Sequence, residues 1–374
     1  MMSKLFTCYA SAAFGLEGLV ADELKNLKLP DVSAENGGVC FSAAGEDLFQ
    51  CNLRLRFTDR LYIQLAYDQC TTFEELYQMV KACPWSLFFS GNEAINISAK
   101  CTRSQLMSPR DCQSVSKKAV IENIRRETGR KVFPETGAPL PILISIRNNR
   151  ARILLNTSGE ALSRRGYRTW NGEAPLRETL AAALSELSPW KPGMPLHDPC
   201  CGTGTILIES AFMAAGRVPG LNRHFAMEHF PCFHKISFDG IRMSAAGEFD
   251  AHADLHISGS DIDSQALDLA KRHIRQAGLD HNAISLTQIP LQELMMNGTN
   301  GVFLCNPPYG ERLGDQVSCR ELYRDLRMLK ERHPGWNLCA ISSDPAFERS
   351  YGKKADKKRR LYNGRLECVF YIFY

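Results

Sequence analysis

The sequence predicts an α/β protein. Its C-terminal part should be a doubly wound, mostly parallel sheet with an antiparallel last strand, preceded by two smaller α+β units. Three observations carry this. From about residue 194 onward, short apolar runs alternate regularly with helical segments, the pattern of parallel strands joined by helical crossovers. A glycine-bearing turn, Asp198-Pro199-Cys200-Cys201-Gly202-Thr203-Gly204-Thr205, follows the first of those runs. A later run, Val302-Phe303-Leu304-Cys305, stops abruptly at Asn306-Pro307-Pro308-Tyr309.

A length of 374 residues accommodates two or three domains. Hydrophobic residues at 44% and charged residues at 23% are those of an ordinary globular chain. The formal net charge of +4 permits a local nucleic-acid-binding patch without arguing for one. With no long apolar run and no signal segment, a cytoplasmic protein without a membrane span is expected. The 14 cysteines are scattered, with no C-x-x-C pair, so they read as reduced core thiols. Neither a metal site nor a disulfide framework is expected.

In chain order, Leu5 to Ala10 reads as a strand, and a helix from about Gly15 carries Leu16, Leu19, Val20, Leu24 and Leu27 on one face. A turn at Asn36-Gly37-Gly38, a strand at Val39 to Phe41 and a helix from Gly45 to Leu55 complete a ferredoxin-like unit over residues 1–58. A second unit, residues 59–160, opens with a strand at Leu61 to Ala66. Thr72-Phe73-Glu74-Glu75 has capping-box spacing for a helix toward Lys81, and Ile95 to Ala99 alternates as a strand. Ser108 and Pro109 suit the N-cap and first turn of a helix bearing Lys117, Lys118, Arg125 and Arg126. Asn148-Asn149 marks a hairpin between Ile142–Ile146 and Arg152–Leu155. The third unit, residues 161–374, holds the alternating pattern. Its segment from about Arg217 to Leu255 is long for one crossover and reads as an insertion over one face of the sheet. Asn363-Gly364 predicts that the last strand runs antiparallel to its neighbour.

The glycine turn suits close approach of backbone to a ligand. Gly202 and Gly204 permit a tight turn, and the amides opening the next helix favour a carboxylate or phosphate. The dinucleotide fingerprint is incomplete, because Leu207 stands where its third glycine would be. Asp261 or Asp263, at the end of the second strand, could accept from two ribose hydroxyls or could cap the following helix. At Asn306-Pro307-Pro308-Tyr309 the prolines stiffen the loop and hold Asn306 extended. An amide, a carbonyl and an aromatic ring are thereby set at the carboxyl end of a strand, where open α/β sheets keep their ligands.

Two basic segments suit phosphates. Arg103, Arg110, Lys117 and Lys118 form one candidate face. Arg164-Arg165-Gly166-Tyr167-Arg168-Thr169-Trp170 forms the other, mixing guanidinium groups with aromatics on which an unpaired base could stack.

Taken together, the two loops resemble those of class I S-adenosylmethionine-dependent methyltransferases that modify exocyclic amines of bases. The resemblance extends over essentially the whole chain. It includes Arg103-Ser104, Lys117-Lys118, Arg164 to Arg168, Ala174 to Ala182, Asp198 to Glu209, Gly259 to Asp263 and Asn306 to Leu313. The chain is similar to the THUMP-containing 23S rRNA guanine-N2 methyltransferases, the family of the N-terminal half of bacterial RlmL. That resemblance implies a Rossmann-like class I methyltransferase domain behind a THUMP domain. S-adenosyl-L-methionine is the implied cofactor, and 23S rRNA or a ribosomal assembly intermediate the implied partner. Asp198, Pro199, Cys200, Gly202, Thr203, Gly204, Thr205, Asp261, Ile262, Glu178 and Thr179 would hold the cofactor. Asn306, Pro307, Pro308 and Tyr309 would be catalytic. Arg103, Ser104, Lys117, Lys118, Arg164, Arg165, Tyr167 and Arg168 would contact RNA. The family usually has an aspartate after the third strand, where this chain has Pro290. The adenine contact would then fall to Gln288 or to backbone near Ile289 or Leu291. The tetrapeptide alone fits an adenine-N6 methyltransferase equally well, and a non-catalytic RNA-binding assembly factor is a further alternative.

Overall fold

The computed structural model describes residues 4–168, 176–250, 253–309 and 315–374. It divides into two compact units, each built on one seven-stranded sheet. Among the described residues, no helix is long and apolar enough to cross a membrane.

The first unit takes in most of residues 1–162. Its strands are β1 (Phe6–Ala12), β2 (Ser33–Glu35), β3 (Gly38–Ala43), β4 (Thr58–Gln69), β5 (Ala94–Thr102), β6 (Pro139–Arg147) and β7 (Arg150–Asn156). They lie in the order β2-β3-β1-β4-β7-β6-β5, antiparallel throughout except for the parallel pair β5 and β6. The two small units expected from the sequence share this sheet, because β4 pairs with β1 on one side and β7 on the other. The helices α2 (Gly45–Arg54) and α4 (Pro109–Thr128) pack on one sheet face, and α3 (Phe73–Lys81) packs on α4.

Local sequence chemistry sets the boundaries. Thr72 Oγ1 accepts the Glu75 amide while Glu75 Oε2 accepts the Thr72 amide, both at 3.2 Å. Ser108 caps α4 by accepting the Asp111 amide at 3.3 Å. Asn148 and Asn149 both take positive φ, 52° and 60°, as a two-residue hairpin turn with the twist of its strands requires.

One expectation is corrected here. The segment read as an insertion over the C-terminal sheet contributes residues 223–242 to the first unit. Its aromatics decide this: Phe225 and Phe238 pack on Phe49, Phe230 on Phe88, and Phe233 on Phe6. Phe225, Phe230 and Phe233 are buried there, whereas His224, His229 and His234 of the same segment are exposed.

The second unit contains β8 (Leu196–Asp198), β9 (Ile257–Asp261), β10 (Ile284–Gln288), β11 (Gly301–Cys305), β12 (Trp336–Ser342), β13 (Lys357–Asn363) and β14 (Leu366–Phe373). Their order is β10-β9-β8-β11-β12-β14-β13. The first five are parallel and β14 is antiparallel to both its neighbours, as Asn363-Gly364 predicted. The edge strand β13 is blunted by the exposed Lys357, Lys358, Arg359 and Arg360. From β8 the chain crosses through α6 (Thr205–Ala214) to β9 on one side; from β11 it crosses through α9 (Asp315–Arg332) to β12 on the other. The strand order therefore reverses between β8 and β11, and the loops leaving these two strands diverge around a crevice. These two loops are the glycine turn and the Asn306-Pro307-Pro308-Tyr309 segment.

Candidate active site

The glycine turn is held open by backbone bonds to the neighbouring strand. The Cys201 amide donates to Ser260 O at 3.0 Å, and the Gly202 amide to Asp261 Oδ2 at 2.8 Å. Gly202 has φ +51°, and nothing lies within 4 Å of where its Cβ would stand, so the backbone borders open space. Gly204, at φ +82°, instead packs against Ala270, whose Cβ would lie 3.2 Å from a Cβ there. One glycine thus borders open space and the other lets α6 meet α8 (Ser264–Gln276).

The carboxylates of this region are set for different tasks. Asp198 is fully buried and accepts the Cys200 amide at 3.1 Å. Burial pushes its carboxyl well above the usual carboxylate range, opposed by the Cys200 amide and reinforced by Asp261. A cationic ligand group would relieve that carboxylate. Asp263, not Asp261, is the cap of α8, accepting the Gln265 amide at 2.8 Å. Asp261 stays beside the glycine turn, and next to it Ile262 is 71% exposed, an unusual state for an isoleucine at a strand end. A buried acid, a half-exposed acid, an exposed apolar side chain and a bare backbone turn fit a ligand with an ammonium, a diol and a flat ring.

Asn306 follows β11, whose five residues are all buried. Its Oδ1 accepts a hydrogen bond from the Tyr309 hydroxyl. Burial, with Cys368 beside it, pushes the Tyr309 phenol far above its usual range, so it stays a neutral donor. The backbone is pinned from α9, where the Tyr323 hydroxyl donates to Pro308 O at 3.0 Å. Burial raises the Tyr323 phenol to about 12. Tyr323 was not anticipated as part of the site. Its helical spacing with Cys319, Leu326 and Leu329 marks it as core, and it is indeed core except at its hydroxyl. Below the crevice, His197 is buried between the hydroxyls of Ser258 (2.8 Å) and Ser260 (3.0 Å). Burial, then His333, lowers it to about 4, so it is neutral.

Three family models match in succession: an RlmL ferredoxin-like domain over residues 7–62, a THUMP domain over 70–156, and the RMKL-like methyltransferase domain over 165–372. The chain belongs to the RMKL-like methyltransferase family. The Bacillus subtilis protein provisionally named RNA methyltransferase YpsC is 36% identical over 99% of this chain and 96% of its own length. The ribosomal RNA large subunit methyltransferase K/L of Shewanella amazonensis is 34% identical over 99% of this chain. This chain spans about half of that relative, 53% of its length. Among solved structures, a predicted N6-adenine-specific DNA methylase from Listeria monocytogenes superposes with TM-score 0.93 at 36% identity, covering 99% of this chain and 96% of that one. SMU.472, a provisionally assigned methyltransferase complexed with SAH, superposes with TM-score 0.92 at 38% identity, covering 100% and 99%.

In this methyltransferase the second basic segment requires correction. Arg165, Tyr167 and Arg168 were expected to grip RNA, but they are turned inward. The Tyr167 hydroxyl donates to Glu209 Oε1 at 3.0 Å, and Arg165 Nε lies 3.6 Å from the same oxygen. Arg168 donates to Thr205 Oγ1 at 2.5 Å and to Leu176 O at 3.0 Å, and its Nε lies 3.6 Å from Glu178 Oε1. These residues buttress the start of α6, and the reason is electrostatic: the fully buried Glu209 demands a cation and a donor. Glu178 is itself buried, its carboxyl raised by burial against the opposing pull of Arg168. Thr179, also expected at the cofactor, is buried in α5 (Glu178–Leu187). Arg164 stays exposed, while Thr169, Trp170, Ala174-Pro175 and Gly310 to Leu313 lie outside the described residues.

The first candidate face is mixed. Arg103 and Lys118 are exposed, but Lys117 is paired with Glu135 at 2.8 Å. Ser104 ties its loop to the β6–β7 hairpin, its Oγ accepting the Asn149 amide at 3.0 Å. Around Pro290, Gln288 Nε2 donates to Ile262 O at 3.1 Å and the Ile289 amide to Asp261 O at 3.3 Å. Both are engaged. Leu291 opens a one-turn 3-10 helix, Leu291–Glu293, whose first amides have no partner within the turn.

Proposed function

We propose that the protein transfers the methyl group of S-adenosyl-L-methionine to the exocyclic N2 of a guanine in 23S rRNA, acting in the cytoplasm on a ribosomal assembly intermediate. The observation that carries this is the position of Asn306-Pro307-Pro308-Tyr309 at the carboxyl end of β11, across the topological switch point from the glycine turn after β8. The K/L relative's name adds the large-subunit RNA.

S-adenosyl-L-methionine supplies an electrophilic methyl on a sulfonium. Asp198 suits its ammonium, the Gly202 backbone its close approach, Asp261 its ribose hydroxyls, and Ile262 one face of its adenine. With Gln288 Nε2 and the Ile289 amide engaged, the Leu291 amide is the donor we assign to adenine N1, a different contact from the amine acceptor that an aspartate supplies. The guanine amine is a weak nucleophile because its lone pair is delocalised into the ring. Asn306 Oδ1 and the Pro307 carbonyl accept hydrogen bonds from its two N–H groups and turn that lone pair toward the methyl. As the N–C bond forms the C–S bond breaks, S-adenosylhomocysteine leaves, and the amine's surplus proton passes to solvent. Oδ1 has two acceptor positions, so the Tyr309 hydroxyl can occupy one while the amine takes the other. That hydroxyl keeps the amide oxygen, not its nitrogen, in place. Catalysis is then positioning for in-line attack, without a covalent intermediate. The base reaches the crevice unpaired or extruded from its stack.

Asn306→Ala should lower methyl transfer by about 100-fold or more while leaving cofactor affinity by calorimetry within severalfold. Retained activity would remove the assignment. Mass spectrometry of rRNA from a deletion strain should show one missing N2-methylguanosine; a missing N6-methyladenosine would move the substrate to adenine.

A further inference from the structure

The seven-stranded sheet of the first unit has α2 and α4 on one face, and its other face carries a row of arginines and tyrosines that no motif announced. The cross-strand register defines it. Tyr67 on β4 pairs with Arg152 on β7, which pairs with Ser145 on β6, which pairs with Lys100 on β5. One register step further lie Gln69, Arg150 and Arg147. Because side chains alternate along a strand, these residues emerge on one face, while Ile142, Ile144, Ile146 and Ile153 are buried on the other.

The centre of the row is built, not merely charged. Arg152, only 8% exposed, forks onto Glu35 through both terminal nitrogens. Its guanidinium lies 4.4 Å from the Tyr9 ring centroid and 4.3 Å from that of Tyr67. Arg150 lies 4.4 Å from Tyr67 in turn. Tyr9 is itself pressed flat on the sheet: a Cβ on Gly38 would fall 2.5 Å from its ring, so glycine is required beneath it. An ion pair with Glu35 accounts for Arg152. It does not account for the cations set around it. A groove of about 730 Å³ wraps from Asn96, Ser98 and Lys100 around the β5 edge to Arg110 and Lys117 of α4; a second, of about 550 Å³, runs along this face, and the two share Arg60, Tyr62, Lys100 and Leu143. Lys100, Arg147, Arg150 and Tyr67 are exposed there, and the acids on the second groove are Glu35, already committed, and Asp59.

We infer that this open sheet face binds a single-stranded stretch of RNA. Lys100, Arg147 and Arg60 meet successive phosphates, and an unpaired base stacks on the Arg150–Tyr67 pair. The chemistry asks for that ligand. Exposed cations in a groove suit a polyanion, and guanidinium planes held against aromatic rings are stacking platforms for bases of any sequence. A double helix would not present its bases to such a surface. The inference rests on the proposed RNA substrate and sharpens where that substrate is held.

The test is fluorescence anisotropy of a labelled single-stranded RNA 20-mer on the full chain, as wild type, Lys100→Glu/Arg150→Glu, Tyr67→Ala and Lys25→Glu. S-adenosylmethionine calorimetry and thermal unfolding check that each variant is folded. The double variant should lose tenfold or more in affinity. The slope of log K against log salt should become shallower by about 0.7 for each phosphate that is no longer neutralised. Tyr67→Ala should lose about fivefold or more, at the low end of measured base stacking, with little change in salt slope. Lys25→Glu, at an exposed position of the helix Glu17–Asn26, should stay within twofold. Wild-type affinity in the double variant, with RNA binding intact, would overturn this face while sparing the RNA substrate. No RNA binding by the wild type, with cofactor binding intact, would overturn both. Loss of binding to ribosomal particles with naked-RNA binding unchanged would assign the face to a protein and overturn the inference.

Discussion

The two sheets have the same number of strands and opposite designs. In the second unit the central strands are sealed on both faces: every residue of β8 and β11 is buried. Such a sheet has no face to offer, so its ligand chemistry is confined to the loops at the strand ends, where the order reverses. In the first unit the same number of strands is covered on one side, and the chemistry lies along the strands, at every second residue. A two-sided sheet makes its site from a few rigid termini and tolerates little change beneath them. A one-sided sheet makes its surface from side chains that solvent already reaches, and single changes there should leave the fold intact.

The largest effect expected from that contrast is at Glu209. It is completely buried, accepts from Tyr167 and stands by Arg165, which is 3% exposed. Glu209→Ala removes the acceptor of the Tyr167 hydroxyl and the carboxylate beside Arg165, and breaking buried pairs of this kind costs about 3–5 kcal/mol. Urea unfolding should report that loss. A cost below about 1 kcal/mol, the range of exposed ion pairs, would show that the buttress is solvated.

His197 comes next and gives the catalytic sheet a pH dependence. Its folded value of about 4 lies below its ordinary 6.5, so its contribution is present above 6.5 and is lost as pH falls toward 4. At 1.36 kcal/mol per unit the loss reaches about 3 kcal/mol. His197→Gln should flatten the stability profile between those limits. An unchanged profile would mean that another group titrates there. Asp198 produces a dependence of the same sign, but in binding. Its carboxyl is raised in the free protein and is ionised when a cation sits on it. Cofactor binding should therefore release a proton and tighten as pH rises, seen as buffer-dependent heats in calorimetry.

Tyr323→Phe removes one hydrogen bond, worth about 1 kcal/mol, from Pro308 O. Its effect should appear in kcat, with cofactor affinity unchanged, because the hydroxyl holds the Asn306 loop and not the glycine turn. A shift in cofactor affinity instead would mean that the two loops are coupled.

What the sequence disclosed followed the same contrast. Loops that terminate buried strands are written contiguously, so Asp198 to Thr205 and Asn306 to Tyr309 were legible as they stand. The alternation of strand and helix disclosed the parallel sheet, and Asn-Gly and Asn-Asn pairs disclosed both hairpins. The Arg165-Tyr167-Arg168 segment misled because composition cannot show direction. The acid that draws it inward, Glu209, lies more than forty residues away in sequence and looks like any helical glutamate. The ladder on the first sheet was invisible for a related reason. Arg150, Arg152, Tyr67 and Lys100 come from three strands, and only register assembles them. A period-two reading of Arg150-Ala151-Arg152 was the one local clue.

The smallest effect expected is at Lys117, and it bears most directly on how the one-sided sheet works. Lys117 pairs with Glu135 at 2.8 Å, but its side chain is 40% exposed, so solvent screens most of the attraction. Exposed pairs of this kind contribute about 0.2–1 kcal/mol, and Lys117→Ala should leave the unfolding midpoint nearly unchanged. Lys117 also lines the larger groove beside Arg110. If that groove carries RNA, the same substitution should weaken RNA binding several-fold and reduce its salt dependence. A residue that matters to the ligand and hardly at all to the fold is what a half-exposed helix position beside the open edge of that sheet permits. A stability lowered by more than about 1 kcal/mol would instead make Lys117 part of the packing, and would count against the division of labour between the two sheets.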